Sequence, residues 1–237
     1  MTHLERAYLT PADNRTKTMK FYTIKPINIG KGEQFEPSFL AISPNNRMPA
    51  IVDPNGPDGN PISVFESGAI LQYLGRKTGK FYPRDERGRV EVDQWLFWQM
   101  AGLGPMAGQC HHFRNYAPVK IPYGIDRYTK EVSRLYGVMD SQLQSRPYLA
   151  GDYSIADIAS YPWVRLWKGL GQSIDDTPNL PMSYTPSPSL IASLIAYHCS
   201  SEVAAIFIPS SLATPERYNI RSPSTRKMLP ATMLPST

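Results

Sequence analysis

Short apolar runs and a change of period divide the first third of this chain into strands and a helix. Ala50-Ile51-Val52 is a continuous apolar run, typical of a buried strand, and Ile62 to Phe65 is a second short run. The segment between them, 53–61, is dense in Pro, Gly, Asn and Asp and predicts a long hairpin loop. After the second run the pattern becomes helical, so we expect a helix from near Gly68 with Ser67 as its N-cap.

Later segments are helical by their spacing. Apolar residues recur three and four positions apart before Arg146-Pro147 and predict an amphipathic helix; they are Ile125, Tyr128, Val132, Leu135, Met139 and Leu143. The segment from Val90 to Met106 has almost no polar face, as expected of a helix covered on both sides, either by a partner subunit or by this chain alone. Ser154-Ile155-Ala156-Asp157 has the pattern of a capping box, which stabilises the start of a further helix.

The residues around Met48 and Glu66 have the chemistry of a peptide-binding corner. Pro49 lacks an amide hydrogen and favours an extended Met48, which leaves the backbone of Met48 free to pair with a ligand. The unpaired amides at the start of the helix near Gly68 favour a carboxylate, and Glu66 beside them can bind an ammonium group. Together these groups suit a short zwitterionic peptide. The alternative is that Ser67 only caps its helix and that Glu66 is solvated.

Charge and composition exclude several classes of function. The chain has 237 residues, 41% of them hydrophobic, which is enough for one large or two modest cores. Its net charge of +5 suits an anionic small ligand, but no run of Lys and Arg is longer than Arg226-Lys227, so nucleic-acid binding is not indicated. The N-terminus lacks the pattern of a signal peptide and no apolar run has membrane-spanning length, so we expect a cytoplasmic protein with no membrane partner.

The positions of the two cysteines restrict the redox chemistry. Cys110 and Cys199 both lie outside 19–82, where the peptide-binding corner is, and the chain has no Cys-x-x-Cys motif. A dithiol mechanism of the thioredoxin type is therefore excluded, and any thiolate must come from the ligand. Cys110-His111-His112 has the composition of a metal site or a nucleophile, but three adjacent helical residues cannot face one ion. We therefore expect a structural role there and no metal.

Four motifs occur in the order and at the spacings of one known family: Pro26 to Phe35, Ser43 to Ile51, Phe65 to Ile70, and Tyr153 to Ala159. On these motifs, the region from Met19 to Pro162 resembles the cytosolic glutathione transferases. It is most similar to the nu-class group of bacterial disulfide-bond reductases and fungal nitrogen-regulation proteins. The resemblance implies a glutathione-transferase architecture, with an α/β thioredoxin-like domain over 1–82, an all-α domain over 83–180, and a homodimer.

The resemblance also implies that the ligand of the corner is glutathione. In that family the peptide bond equivalent to Met48-Pro49 is cis, and the backbone before the proline pairs with the tripeptide. Residues equivalent to Glu66 and Ser67 hold the γ-glutamyl end. Residues equivalent to Gln34 and Arg47 reach the glycyl carboxylate.

The reaction implied is disulfide reduction or thiol conjugation by the glutathione thiolate, with a small electrophile or a disulfide as second substrate. A Thr-Pro-Asn-Gly-like turn holds the glutathione sulfur in that family, and Thr10 or Asn14 would supply this catalytic group here. Arg127 would contact a second glutathione or a glutathionylated substrate, unless it is a solvated arginine at a helix start. The alternative function is a non-catalytic glutathione-binding or regulatory protein, or a truncated or frame-altered inactive member.

Both ends of the chain depart from the family pattern. Only eighteen residues precede Met19, so we expect the first strand and helix to be shortened or missing. Without them the sheet loses a central neighbour beside Ala50 to Asp53, and we expect Ile51 and Ile70 to be exposed. Residues 181–237 are rich in Ser, Thr and Pro and read as an atypical tail, either from an altered reading frame or splicing or as an evolved interaction segment.

Overall fold

A computed structural model of this chain describes residues 25–173 and 175–180, and residues 23–24 and 203–207 as backbone only. Its first part contains strands, short turns and two helices: β1 (Thr23–Ile27), the 3₁₀ turns Ile29–Lys31 and Glu33–Phe35, α1 (Pro37–Leu40), β2 (Ala50–Asp53), β3 (Ile62–Phe65) and α2 (Ser67–Thr78). β2 and β3 pair antiparallel, with Ala50 opposite Phe65, so the predicted hairpin is confirmed.

The second part is all helical: α3 (Glu86–Trp98), a π-helical turn Gln99–Leu103, α4 (Gly104–His111), a second π-helical turn His112–Tyr116, α5 (Pro122–Leu143) and α6 (Ile155–Arg165). The apolar stripe predicted on α5 faces the core, where its last four members are buried against α4 and α6: Val132, Leu135, Met139 and Leu143. A thioredoxin-like part followed by a helical part confirms the predicted fold class. Among the helices described, none combines the length and the apolar character needed to cross a membrane.

The predicted capping box is present at the start of α6. The Ser154 hydroxyl accepts from the amide of Ala156 at 3.3 Å, and the Asp157 carboxylate accepts from the amide of Ser154 at 2.9 Å. Asp157 also accepts from the amide of Leu149 at 3.0 Å, and its side chain is 1% exposed. The box therefore fixes both the helix start and the loop that leads into it.

The helix predicted over 90–106 ends earlier than expected, and one of its sides is exposed. The α-helical pattern stops at Trp98, and the π-helical turn that follows shifts the register before α4 begins. Within the described chain one side of α3 is not covered, because Val90 is 47% exposed and Phe97 is 61% exposed. These two residues are seven positions apart and so share one face of the helix.

The four-stranded sheet has a strand at its centre that comes from the end of the chain. The strand order is β1-β4-β2-β3, where β4 is Val203–Phe207. β4 pairs antiparallel with β1, Thr23 opposite Phe207, and parallel with β2, Ile51 opposite Ile206. Part of the predicted tail 181–237 therefore lies in the sheet, while the domain boundaries given above stay predictions.

The exposure expected at Ile51 and Ile70 is wrong. Ile51 is 1% exposed and Ile70 is 5% exposed, and both pack with Leu74 in one apolar cluster. The physical reason is that β4 takes the position beside β2 that we expected to be vacant.

A buried carboxylate fastens the end of β2 to α2. Asp53 is 0% exposed and accepts from the Tyr73 hydroxyl at 2.6 Å, from the Asn55 amide at 3.0 Å, and from Lys77. Burial by itself raises the pKa of Asp53, but the hydrogen bonds from Lys77, Tyr73 and Asn55, with the charge of Lys77, outweigh it and leave the pKa below its usual value. The charged form is therefore favoured by folding.

We expect Asp53→Asn to lower the free energy of unfolding at pH 7 by about 3 kcal/mol, because the ammonium group of Lys77 loses its buried counter-ion. A carboxyl whose pKa falls on folding contributes stability above its unfolded pKa of about 3.9, and this contribution is lost as the pH falls through the lower folded value. The difference in the free energy of unfolding between wild type and variant should therefore become smaller below about pH 4. Urea unfolding from pH 7 to pH 2 measures it.

Asp126→Asn is the matched control for this experiment, since it also removes a carboxylate paired with a lysine, Lys130, but at the surface. We expect Asp126→Asn to lower the free energy of unfolding by less than about 0.5 kcal/mol. A loss equal to that of Asp53→Asn, or a gap that is constant with pH, would contradict the role given to Asp53.

Candidate functional site

The start of α2 has an unusual backbone at Glu66. This residue lies between β3 and α2 with φ 68° and ψ 119°, a region that side-chain-bearing residues rarely adopt. Such a conformation costs about 1–3 kcal/mol and persists where the surrounding structure imposes it. The carbonyl of Glu66 accepts the first helical hydrogen bond, from the amide of Ile70 at 2.9 Å. Glu66 is therefore the N-cap residue, and the prediction that Ser67 holds this position is wrong by one residue.

The first amides of α2 are available to a ligand. Among the described residues, the backbone N–H groups of Ser67, Gly68 and Ala69 have no acceptor, and Glu66 makes no side-chain cap to them. α2 is twelve residues long and ends at a left-handed Gly79, so its dipole is fully developed. Three donors that have no acceptor in the described part of the chain, at the positive end of a helix, favour a carboxylate.

The backbone on the other side of the corner is also accessible. The Met48-Pro49 peptide bond is cis, which confirms that expectation. The loop before it is fixed, because the buried Ser43 hydroxyl donates to the carbonyl of Arg47 at 2.7 Å. No backbone hydrogen bond joins Met48 to another described residue, so its N–H and C=O groups can pair with an extended ligand.

One hydrogen bond links the two sides of the corner. The amide group of Asn45 donates to a carboxylate oxygen of Glu66 at 3.5 Å. The next two residues of the loop are also joined, since the Arg47 guanidinium donates to the carbonyl of Asn46 at 3.1 Å and to its side chain. Asn45 lies in one of the four motifs but was not predicted as a site residue. A polar residue three positions before Met48 was the available signal.

Gln34 lies in the 3₁₀ turn Glu33–Phe35 and is half-buried. Its side-chain oxygen is buried and has no partner among the described residues. A buried polar atom without a partner is uncommon in a folded protein, because it loses its hydrogen bonds to water without replacement. This oxygen needs a donor, so a carboxylate could pair only with the NH2 group of the same side chain, and the ligand-binding role of Gln34 stays a prediction.

The helical part forms the floor beneath the start of α2. The Ser67 hydroxyl lies 3.6 Å from the sulfur of Met100, in the π-helical turn Gln99–Leu103. Gly68 packs so closely that a Cβ atom there would be 3.2 Å from Cγ of Met100 and 3.3 Å from its sulfur. The corner therefore lies where the two parts of the protein meet, a common position for ligand sites. Gly68 and Met100 were not predicted as site residues.

Arg127 lies on the exposed side of α5. The hydrogen bond from Arg134 is the main cause that holds the pKa of the Glu131 carboxyl below its usual value, and the charge of Arg127 adds a smaller contribution. The nearby Arg114 is instead engaged, donating to the carbonyl of Gly169 at 3.3 Å and to the Thr129 hydroxyl at 3.4 Å. Of the two, Arg127 is the one whose guanidinium is accessible to a ligand.

The remaining predicted residues divide into two groups. Thr10 and Asn14 lie outside the described residues, so the group that would activate a thiol stays a prediction. Cys110 is fully buried, 3.6 Å from the Thr129 hydroxyl and 3.5 Å from the carbonyl of Leu170, and burial raises the pKa of its thiol. A buried thiol with a raised pKa is a poor nucleophile. In the described parts of the chain, no group of three His, Cys, Asp or Glu residues could hold a metal ion.

Comparison with known proteins gives consistent relatives. A family model described as the N-terminal domain of glutathione S-transferase matches residues 19–76. The disulfide-bond oxidoreductase YfcG of Escherichia coli is 52% identical over 169 residues, which covers 68% of this chain and 79% of YfcG. The disulfide-bond oxidoreductase YghU of the same organism is 46% identical over 138 residues, which covers 58% of this chain and 47% of YghU. The chain therefore spans most of one relative and about half of the other.

Solved structures with the same architecture carry ligands. A glutathione transferase from Burkholderia graminis with two glutathione molecules bound per subunit has a TM-score of 0.62 and 44% identity, covering 65% of this chain and 68% of that one. Ure2p in complex with S-hexylglutathione has a TM-score of 0.59 and 35% identity, covering 64% of this chain and 75% of that one. Both are similar to this chain in sequence as well as in fold.

The backbone strain at Glu66 can be measured with a matched pair of variants. Glu66→Gly and Glu66→Ala remove the same carboxylate, but only glycine adopts a positive φ without cost. Glycine gains more entropy than alanine on unfolding, which offsets part of the relief of strain. We expect the net free energy of unfolding of the Gly variant to exceed that of the Ala variant by about 1 kcal/mol, and its Tm by about 3 °C. Thermal unfolding of the two proteins checks this. A Gly variant no more stable than the Ala variant would mean that Glu66 is not strained.

Proposed function

This chain belongs to the glutathione S-transferase family, and we propose that it binds glutathione at the corner between Met48 and the start of α2. The supporting observation is that the first amides of α2 and the backbone of Met48 have no partner among the described residues and lie beside a strained Glu66. Glutathione offers an ammonium group, two carboxylates, a peptide backbone and a thiol. The corner offers a complementary group for the ammonium group, for each of the two carboxylates and for the peptide backbone.

The proposed pose follows from charge and hydrogen-bonding capacity. The γ-glutamyl carboxylate accepts from the first amides of α2, including that of Ser67, and its ammonium group pairs with Glu66. The cysteinyl backbone pairs with Met48 as an added strand. The Arg47 guanidinium and the side-chain NH2 group of Gln34 donate to the glycyl carboxylate.

We propose that the reaction is thiolate chemistry of the bound glutathione. The free thiol has a pKa of about 8.5, so a hydrogen-bond donor at the sulfur, from Asn14 or Thr10, raises the fraction of thiolate at pH 7. In disulfide reduction the thiolate attacks one sulfur of a disulfide and releases the other as a thiolate, forming a mixed disulfide with glutathione. A second glutathione, for which Arg127 is the proposed contact, then releases glutathione disulfide and the second thiol. In conjugation the same thiolate attacks a small electrophile.

Retention on immobilised glutathione tests the binding site. We expect the double variant Glu66→Ala with Ser67→Ala to elute without free glutathione, because it loses the ammonium partner and a hydroxyl at the helix start. The matched control is Glu86→Ala with Ser141→Ala, since both residues are exposed and lie on the helical part of the chain. Full retention of the first variant would refute the proposed site, provided that both variants have the circular dichroism spectrum of wild type.

Turnover separates this function from its alternative, a non-catalytic glutathione-binding or regulatory protein. Glutathione-dependent reduction of a small disulfide, followed through formation of glutathione disulfide, is expected for the wild type. Asn14→Ala or Thr10→Ala should lower the rate about tenfold, for a shift of one unit in the thiol pKa, without changing retention on glutathione. Retention without any turnover in the wild type would favour the alternative.

We further propose that the protein is a cytoplasmic homodimer whose partner covers the exposed side of α3. Phe97 is large and apolar and is 61% exposed, and Val90 on the same face is 47% exposed. Aromatic residues near the centre of an interface commonly contribute 2 kcal/mol or more to binding. An apolar face of this kind is the feature that suits a second copy of the chain.

Phe97→Glu should raise the dissociation constant of the dimer by about 30-fold or more, because a charge replaces a buried ring. Sedimentation velocity over a range of concentrations measures this constant. Val119→Glu is the control, because Val119 is 67% exposed and lies in the loop before α5. Equal effects of the two substitutions would place the interface elsewhere.

A further inference from the structure

The centre of the sheet is filled by a segment remote in sequence from its neighbours. β4 pairs with β1 on one side and with β2 on the other, and β1 and β2 do not pair with each other. Without β4 the sheet would consist of one single strand and a separate hairpin. We propose that the space between β1 and β2 is a strand-acceptor site, and that its occupant is Val203–Phe207 of the same chain, held by pairing and not by its covalent connection.

The occupant has the composition of a central strand. Val203–Phe207 reads Val-Ala-Ala-Ile-Phe, with Glu202 before it and Pro209 two residues after it. A strand buried within a sheet is typically a continuous apolar run, and a proline or charge inside it would disrupt pairing. The apolar run matches the five residue pairs that join β4 to β1. Composition and pairing length therefore agree.

The edge of β2 that faces β4 is buried, so its backbone groups need hydrogen-bond partners. In β2, Ala50 is 0% exposed and Ile51 is 1% exposed. Buried backbone N–H and C=O groups need hydrogen-bond partners, and those at the edge of β2 face β4. The chemistry that this site recognises is an extended, uncharged apolar peptide, because recognition runs through the backbone and an apolar surface.

The tether to the occupant is long. The helical part ends at Leu180, which is 6% exposed, and the preceding Asn179 donates from its backbone amide to Asp140 at 2.7 Å and from its side chain at 3.1 Å. The residues from 181 to 202 then lead to β4 and, fully extended, could reach about 70 Å. A connection with that reach does not dictate one register. The register with Ile51 opposite Ile206 is therefore set by the pairing itself.

This arrangement makes β4 a positioning element for the corner described above. β2 begins just after the Met48-Pro49 bond, and β3 ends at Phe65, next to Glu66. If β4 leaves, β2 loses the neighbour on one side, and the β2–β3 hairpin that carries both sides of the corner keeps no other strand beside it among the described residues. The claim about glutathione rests on the proposed function, whereas the claim about strand pairing does not.

Cutting the tether in the full chain tests the proposal. A protease site is inserted between Ser187 and Pro188, and the folded protein is cleaved. We expect the C-terminal fragment to co-elute with the core on size exclusion and to exchange with an excess of a labelled synthetic peptide of residues 201–209. A fragment that separates and leaves the core with a lowered Tm also supports the proposal, because the core then depends on the strand. A fragment that separates while Tm is unchanged overturns it.

A substitution inside the strand gives a second, independent measurement. Ala205 lies opposite Lys25, and Ala205→Pro removes a donor from the middle of the ladder. We expect Tm to fall by about 10 °C and retention on immobilised glutathione to be reduced. Ala213→Pro makes the same change outside the strand and should leave both unchanged. A normal Tm for Ala205→Pro overturns the strand-acceptor site. If Ala205→Pro lowers the Tm but the wild type does not bind glutathione, only the proposed function is refuted.

Discussion

One helix joins the two parts of this protein, and the geometry of the candidate site depends on it. α2 packs Ile70 and Leu74 against Ile51 of the sheet, while Leu71 packs with Val92 of α3 and its neighbours in the helical part. Full burial of a Leu or Ile side chain contributes about 1.5–3 kcal/mol, so each face of α2 has a substantial apolar contact. The free amides lie at the N-terminal end of this helix. Their direction is fixed because the helix cannot rotate without breaking one of the two cores.

Polar contacts add orientation to this apolar packing. Gln72 donates to Asp93 of α3 at 2.8 Å, and the Tyr82 hydroxyl donates to both oxygens of the same carboxylate at 3.0 and 2.9 Å. On the opposite side of α2, Lys77 and Tyr73 bind the buried Asp53. Apolar contacts alone tolerate small rotations, whereas these hydrogen bonds have narrow distance and angle limits. The helix is thus set in both position and rotation.

The features that the sequence predicted well are those decided within a few residues. The Ser154–Asp157 capping box and the hairpin before Glu66 follow from local hydrogen bonds and turn chemistry. The start of α2 was displaced by one residue because Glu66 adopts a positive φ that local preference disfavours and that its surroundings impose. The place of Val203–Phe207 could not be predicted, since five apolar residues specify a buried strand but not which neighbours it joins.

The strand order also bears on the time course of synthesis. A ribosome releases β1 and the β2–β3 hairpin early, yet the strand between them is encoded some 150 residues after the hairpin begins, since Ile51 pairs with Ile206. The helical part buries its own core by Leu180 and does not wait for that strand. N-terminal domains generally fold first during translation. Here the nascent sheet lacks its central strand until residues 203–207 emerge. The part of the protein that is synthesised first is therefore completed after the helical part.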